Sequence, residues 1–204
     1  MTIEKGRPWG RAVTVPIETR DVGTDADLAC GTPGDIHVLT GGDLHRALGA
    51  PPVPRPGQER TLVHIDALRC EIETRTGTRT MRAASAVQVG KWLCPPWHRR
   101  RHVVVTNGGI VARRNVAPRA HPNDGLLHVV TLGASMPWRQ RLTARRRAES
   151  GNHLPHPHIV VDKAASVELI REHPHERLVI DGAVVRNWER ARISVEPDCW
   201  QVIV

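Results

Sequence analysis

NVAPRAHPNDGLLHVV, residues 115–130, sets a proline-rich approach and an Asn-Asp-Gly turn against an apolar run. Asn123 and Asp124 have side chains that bond their own backbone, and Gly125 tolerates a positive φ. The three therefore predict a tight turn leading into a strand from Leu126 to Val130. Upstream, Val103-Val104-Val105-Thr106 reads as a strand that ends at the turn residues Asn107-Gly108-Gly109. On turn chemistry alone this region is a β-meander.

The order of these pieces says more. A strand, an Asn-Gly turn, a basic bend, Ala117-Pro118-Arg119-Ala120, Asn123-Asp124-Gly125 and a second strand follow one another. That order resembles the core of the C-terminal domain of soluble bacterial diacylglycerol kinases and their lipid-kinase relatives, where the usual run is "APxAxxDDGxLDV". Further matches follow in the family's order at Leu154-Pro155-His156-Pro157-His158, Asp181-Gly182 and Val195-Glu196-Pro197.

Composition frames the reading. A chain of 204 residues suffices for one substantial domain, or for one with a small appendage. No window approaches the ~18 apolar residues of a membrane span. Met1 to Arg11 is polar, without the apolar core of a signal peptide. Cys30, Cys70, Cys94 and Cys199 are scattered without a C-x-x-C pair, so buried thiols in a reduced, cytoplasmic setting are expected. The net charge of +8 is almost wholly arginine, with lysine only at Lys5, Lys91 and Lys163. A basic surface favours anionic partners, although the Ala, Arg, Val, Pro and Gly bias also matches a GC-rich coding sequence.

Along the chain, Ala12 to Val15 reads as a strand closed by Pro16, and Thr24 as the N-cap of a short helix with Asp25 and Asp27 in its first turn. Ile36 to Leu39 reads as a strand running into Thr40-Gly41-Gly42-Asp43, where Asp43 is placed to cap a helix over Leu44 to Leu48 that Gly49 stops. A strand, glycine loop and helix in this order leave amide groups to meet an anion. The run resembles the second glycine loop of the lipid kinases, "GTGNDFARxLG", and Val63-His64-Ile65-Asp66 matches the strand that follows it there.

Pro51 to Gly57 is a proline-rich connector, so the expected domains are 1–50, a small α/β remnant of a nucleotide-binding domain, and 51–204, an antiparallel β-sandwich. Thr76-Gly77 reads as a hairpin turn, and Cys94-Pro95-Pro96-Trp97 as a rigid loop before Arg99-Arg100-Arg101. Pro137 to Glu149 is the one long helical pattern of the second half. In it Trp138 and Leu142 share a face, and Arg139, Arg141, Arg145, Arg146 and Arg147 ring the rest. Short strands at about 8–12-residue spacing then run to Val204, the rhythm of a sandwich or barrel.

The resemblance also marks two departures. The lipid kinases carry "GGDGT" to cradle ATP phosphates, and these 204 residues contain no such motif. Their acid turn is "DGE", with the glutamate as the expected base, whereas here it reads Asp181-Gly182-Ala183, and a methyl accepts no proton. The expected function is that of a diacylglycerol-kinase-like protein without kinase activity of its own. Thr40, Gly41, Gly42, Asp43, Asp181 and Gly182 would form a shared cleft for a lipid or phosphate-bearing ligand. Two alternatives stand beside it: a kinase subunit whose protein partner supplies the ATP site, and a basic nucleic-acid-binding protein, although no recognised nucleic-acid module appears.

The resemblance further implies a structural Mg2+ near Asp124, the one clear acid of its turn. His153, His156 and His158, with His173 and His175 nearby, lack the acids and cysteines of a zinc site and read as structural. The arginine clusters have three readings: a solvated face, nucleic-acid contact through Arg99 to Arg101 with Trp92 and Trp97, and peripheral contact with an anionic membrane through the Trp138 helix.

Overall fold

The computed structural model describes residues 9–90 and 100–204. The first eight positions and 91–99, including Trp92, the Cys94 to Trp97 loop and Arg99, lie outside the described residues. In chain order the strands are β1 (Arg11–Thr14), β2 (Arg20–Val22), β3 (Ile36–Leu39), β4 (Glu59–Thr74), β5 (Gly77–Ala83), β6 (Ala86–Val89), β7 (His102–Thr106), β8 (Ile110–Val111) and β9 (Arg114–Asn115). They continue with β10 (Leu127–Leu132), β11 (Ile159–Ala164), β12 (Ser166–Ile170), β13 (Leu178–Ile180), β14 (Ala183–Val185) and β15 (Trp188–Ile203). Three helices, α1 (Asp25–Ala29), α2 (Gly42–Ala47) and α3 (Trp138–Arg147), complete the described elements.

Two sheets form the sandwich expected from the sequence. A seven-stranded sheet runs β1-β4-β15-β3-β2, with β5 beside β4 and β12 beside β15. A six-stranded sheet runs β11-β10-β7-β6-β13-β14. Pairing is antiparallel except where β3 joins β15 and β2 joins β3. The segments Val63–Asp66 and Leu68–Thr74 belong to one sixteen-residue strand, β4, and β15 likewise runs through its whole length with a bulge between Glu196 and Trp200.

Alternation explains how β4 and β15 serve two cores. Leu68, Cys70 and Ile72 pack with Ala191 and Ile193 against Val87, Val103, Val105 and Leu127 of the second sheet. Val63, Ile65 and Ala67, of opposite parity, pack with Trp200 and Val202 against Leu28 of α1 and Leu44 of α2. One face of the seven-stranded sheet therefore meets the second sheet, and the other meets the short helices. A third cluster lies on the far face of the second sheet, where Val104, Val130 and Leu132 meet Met136 and Ala144 around α3.

The first fifty residues are woven into the larger sheet: β1 pairs β4, and β3 pairs β15 with Val202 opposite His37. The proline-rich connector at 51–57 is thus a loop between strands of one sheet. The Asn-Asp-Gly turn forms as its residues dictate, with Gly125 at φ +70°. Buried Asp66 holds it from β4, accepting the Gly125 amide at 2.9 Å and the Asn123 side-chain amide at 3.2 Å.

Helix α3 departs from the expected arginine ring. Its buried side carries Arg141 and Ala144. Arg141 is 2% exposed and donates to the carbonyls of Met136, Gly133 and Arg100, so it ties the helix to the loops around it. Trp138 faces outward at 47% exposure.

Candidate functional site

The acid turn folds as a hairpin between β13 and β14, with Ile180 opposite Ala183. Asp181 takes φ +43°, and its carboxylate turns inward onto the chain crossing from one sheet to the other. Oδ2 accepts the Ala84 amide at 2.6 Å, and Oδ1 accepts those of Ser85 and Ala86 at 3.0 and 2.9 Å. Burial pushes its pKa up to about 6 against the pull of the three amides, and the nearby charge of Asp25 adds to the rise. Asp181 thus fastens the β5–β6 crossover.

The turn borders a cleft of about 390 Å³, lined by Ala26 and Ala29 of α1, by Cys30 at its C-cap and by Ala183 on the hairpin. Its floor is the helix-facing side of the larger sheet, where Arg69, Arg82 and Glu196 converge. Arg82 and Glu196 form a forked pair at 2.8 and 3.0 Å. Cys30 is an exposed free thiol beside them. Ala183 lines this space with its methyl, where the resemblance implies the glutamate expected to act as base.

The glycine loop lies elsewhere. Thr40, Gly41, Gly42 and Asp43 do not line the Asp181 cleft, and the expected common pocket is corrected to one whose N-terminal wall is α1. Asp25 stands between the two motifs. Its carboxylate accepts the amides of Asp43 at 2.7 Å and Leu44 at 3.0 Å, filling the position that a phosphate would need. Burial raises the pKa of Asp25 against those two bonds, with the Asp43 charge adding to the rise.

The glycines have a packing reason. Gly42 sits at φ +92° where a Cβ would collide with the Asp25 carboxylate, and a Cβ on Gly41 would lie 2.6 Å from the Gly23 carbonyl oxygen. Thr40 donates to the Val22 carbonyl at 3.2 Å. The expectation that Asp43 caps α2 is also corrected. The N-cap is Gly41, and the Asp43 carboxylate reaches away to the Ala112 and Arg113 amides at 2.5 and 3.0 Å.

Asp124 does not suit the implied Mg2+. One of its oxygens accepts the Leu126 amide at 3.1 Å, and the other faces His128 at 3.0 Å and Lys163 at 3.6 Å. Burial works against its charge, but His128, the Leu126 amide and Lys163 outweigh it and hold the pKa below the usual carboxylate range. A cationic amine in that position repels a metal ion. Among the described residues no group of three or more His, Cys, Asp and Glu is placed to hold a metal. His153 is buried with Nε2 3.1 Å from the Val116 carbonyl, a structural role, and the rings of His156 and His158 lie 5.8 Å apart. Among the described residues no helix is long and apolar enough to cross a membrane.

Sequence reasoning missed Asp25, which looked like an ordinary first-turn acid of α1, and its partners lie eighteen and nineteen residues away without a local signal. Asp66 did carry a signal, an acid within the apolar strand Val63-His64-Ile65-Asp66.

Comparison with known proteins agrees with this geometry. The chain resembles a protein described as a diacylglycerol kinase from Bacillus anthracis str. Sterne, with a TM-score of 0.53 and 11% identity over 83% of this chain and 69% of that one. Yeast NADH kinase, solved in complex with NADH, superposes with a TM-score of 0.54 and 9% identity over 89% of this chain and 60% of its own. The chain thus spans about two thirds of the length of these two neighbours, and likeness at such identity establishes the fold alone. No curated protein matches. The family model described as the YegS C-terminal NAD kinase beta sandwich-like domain matches residues 96–204, more than half of the chain, which supply β7, β10, β11, β13 and β14 of the six-stranded sheet and β12 and β15 of the larger one; the chain belongs to that family.

Proposed function

We propose that this chain is a diacylglycerol-kinase-like protein that binds a lipid or other phosphate-bearing ligand in the Asp181 cleft without transferring phosphate itself. The observation that carries the reading is Ala183, which presents a methyl to a cleft whose two carboxylates are both engaged. Asp181 is held by three backbone amides, and Glu196 is clasped by Arg82. Neither is positioned to take a proton from a lipid hydroxyl. Arg69 supplies the positive charge that an anionic headgroup requires, and Arg82, whose charge Glu196 already balances, adds hydrogen-bond donors beside it.

The test is direct. The purified chain, given labelled ATP and dioctanoylglycerol, should leave the lipid unlabelled. Dioctanoyl phosphatidate should bind it, with Arg69→Ala and Arg82→Ala each weakening binding about tenfold, the ~1.4 kcal/mol expected of a charge-assisted contact. Label in the lipid that disappears with Asp181→Asn would refute the non-catalytic reading, and absence of binding would refute the ligand reading.

A further inference from the structure

A second cleft, of about 620 Å³, opens on the face of the sandwich turned away from α1 and α2. Its floor is the outward side of the β10–β11 ladder, where Ile159, Val161 and Lys163 alternate onto one face and Lys163 stands opposite His128. Its walls are two loops, Ala117 to Arg119 and Gly151 to His156.

The polar groups on this lining are all cationic or basic. Lys163 is half-exposed and lies 3.6 Å from Asp124, which balances one positive charge from behind. Arg119 is exposed and has no acidic partner among the described residues. His156 Nδ1 accepts the His158 amide at 3.2 Å, which places the proton of the neutral ring on Nε2 and makes that nitrogen a donor. Leu154, Pro155, Ile159 and Val161 supply the apolar remainder. A mostly apolar hollow of several hundred Å³ with a few convergent polar groups has the form of a small-molecule site. The excess charge sets the sign of what enters it.

We infer that this cleft binds an amphiphilic anion, with a phosphate or carboxylate head held by Arg119, Lys163 and His156 and an alkyl body lying on Leu154, Ile159 and Val161. None of these residues lines the Asp181 cleft, so the inference stands whether or not that cleft binds anything.

Octyl phosphate titrated into the isotopically labelled full chain tests it. Saturable amide shifts are expected at 117–119, 151–156 and 159–163. Binding read at these amides should weaken at least about tenfold in Arg119→Glu and in Lys163→Glu, and remain unchanged in Arg75→Ala, an exposed arginine on neither of these two clefts. Inorganic phosphate should bind at least about tenfold more weakly than octyl phosphate, because it leaves the apolar wall uncovered. Octyl glucoside should not saturate. Both replaced side chains are solvent-facing, and Arg119→Gln and Lys163→Gln serve if a charge reversal unfolds the chain. Equal binding of inorganic phosphate or octyl glucoside would overturn the inference. So would shifts confined to the Cys30, Arg82 and Ala183 region, or no shift at millimolar octyl phosphate.

Discussion

The Asp25 carboxylate lies 2.7 Å from the Asp43 amide nitrogen, so the helix after the glycine loop is capped by a residue from the preceding helix. The amides that a strand, glycine loop and helix leave open to an anion are taken here by the protein's own carboxylate. Asp25→Ala should therefore destabilise the fold by about 0.5–2 kcal/mol, the usual cost of losing a cap. Asp25→Asn, which keeps an acceptor oxygen, should recover part of it. Urea unfolding measures both, and an Asp25→Ala midpoint equal to wild type would mean that the cap contributes nothing.

Asp43 holds a different strained place. Between β8 and β9 the two-residue turn Ala112-Arg113 has φ of +49° and +63°, a conformation that non-glycine residues reach at ~1–2 kcal/mol each. Replacing the pair by Asn-Gly should raise stability by about 1 kcal/mol. Asp43→Ala should lower it by about 1–3 kcal/mol through two lost charge-assisted bonds. Thermal unfolding of the two variants would disprove this if the midpoints moved together.

Two buried groups give opposite pH slopes. Asp181 has its folded pKa raised to about 6, so its contribution is fully present below the ordinary carboxylate value of 3.8 and is lost as pH rises through 6. His102 is the reverse. Burial, then the Arg141 charge, push its pKa down to about 4, so its contribution is present above 6.5 and is lost as pH falls toward 4. Subtracting the Asp181→Asn stability curve from wild type should leave a slope falling with pH between 4 and 6, and the His102→Gln subtraction a rising one. Two flat differences would show that neither group couples folding to protons.

Membrane contact through α3 would use Trp138, whose ring has the Arg139 guanidinium 5.7 Å from its centre, with Arg145, Arg146 and Arg147 beyond it and Arg141 turned inward. Binding to phosphatidylglycerol vesicles should fall with salt. It should also drop in an Arg145→Ala/Arg146→Ala/Arg147→Ala variant, because each arginine near an anionic surface contributes about 1 kcal/mol. Equal affinity for neutral vesicles would retire the idea.

The sandwich was legible because its strands announce themselves locally. Val103 to Thr106 and Leu127 to Val130 are apolar runs bounded by Asn-Gly and Asn-Asp-Gly, and the order of those turns carried the family likeness. The candidate site was less legible because its geometry comes from contacts between distant segments. Asp181 kept its turn, but nothing near it in sequence shows that its oxygens face Ala84, Ser85 and Ala86. Arg141 read as surface because arginine is ordinarily outside, although the Ala144 and Ala148 that follow at helical spacing marked the same buried stripe.

Strand β15 lies between β4 and β3 in the larger sheet, and Arg82 meets Glu196 across 114 positions of chain. A ribosome must therefore release the chain through Ile203 before the central ladder can close. Until then β4 leaves the edge that β15 covers, from Leu62 to Thr74, without its partner, and α1 and α2 lack Trp200 and Val202 to cover. Such a nascent chain needs protection from its neighbours during synthesis, and a stop codon a few positions before Ile203 would release a product prone to aggregate.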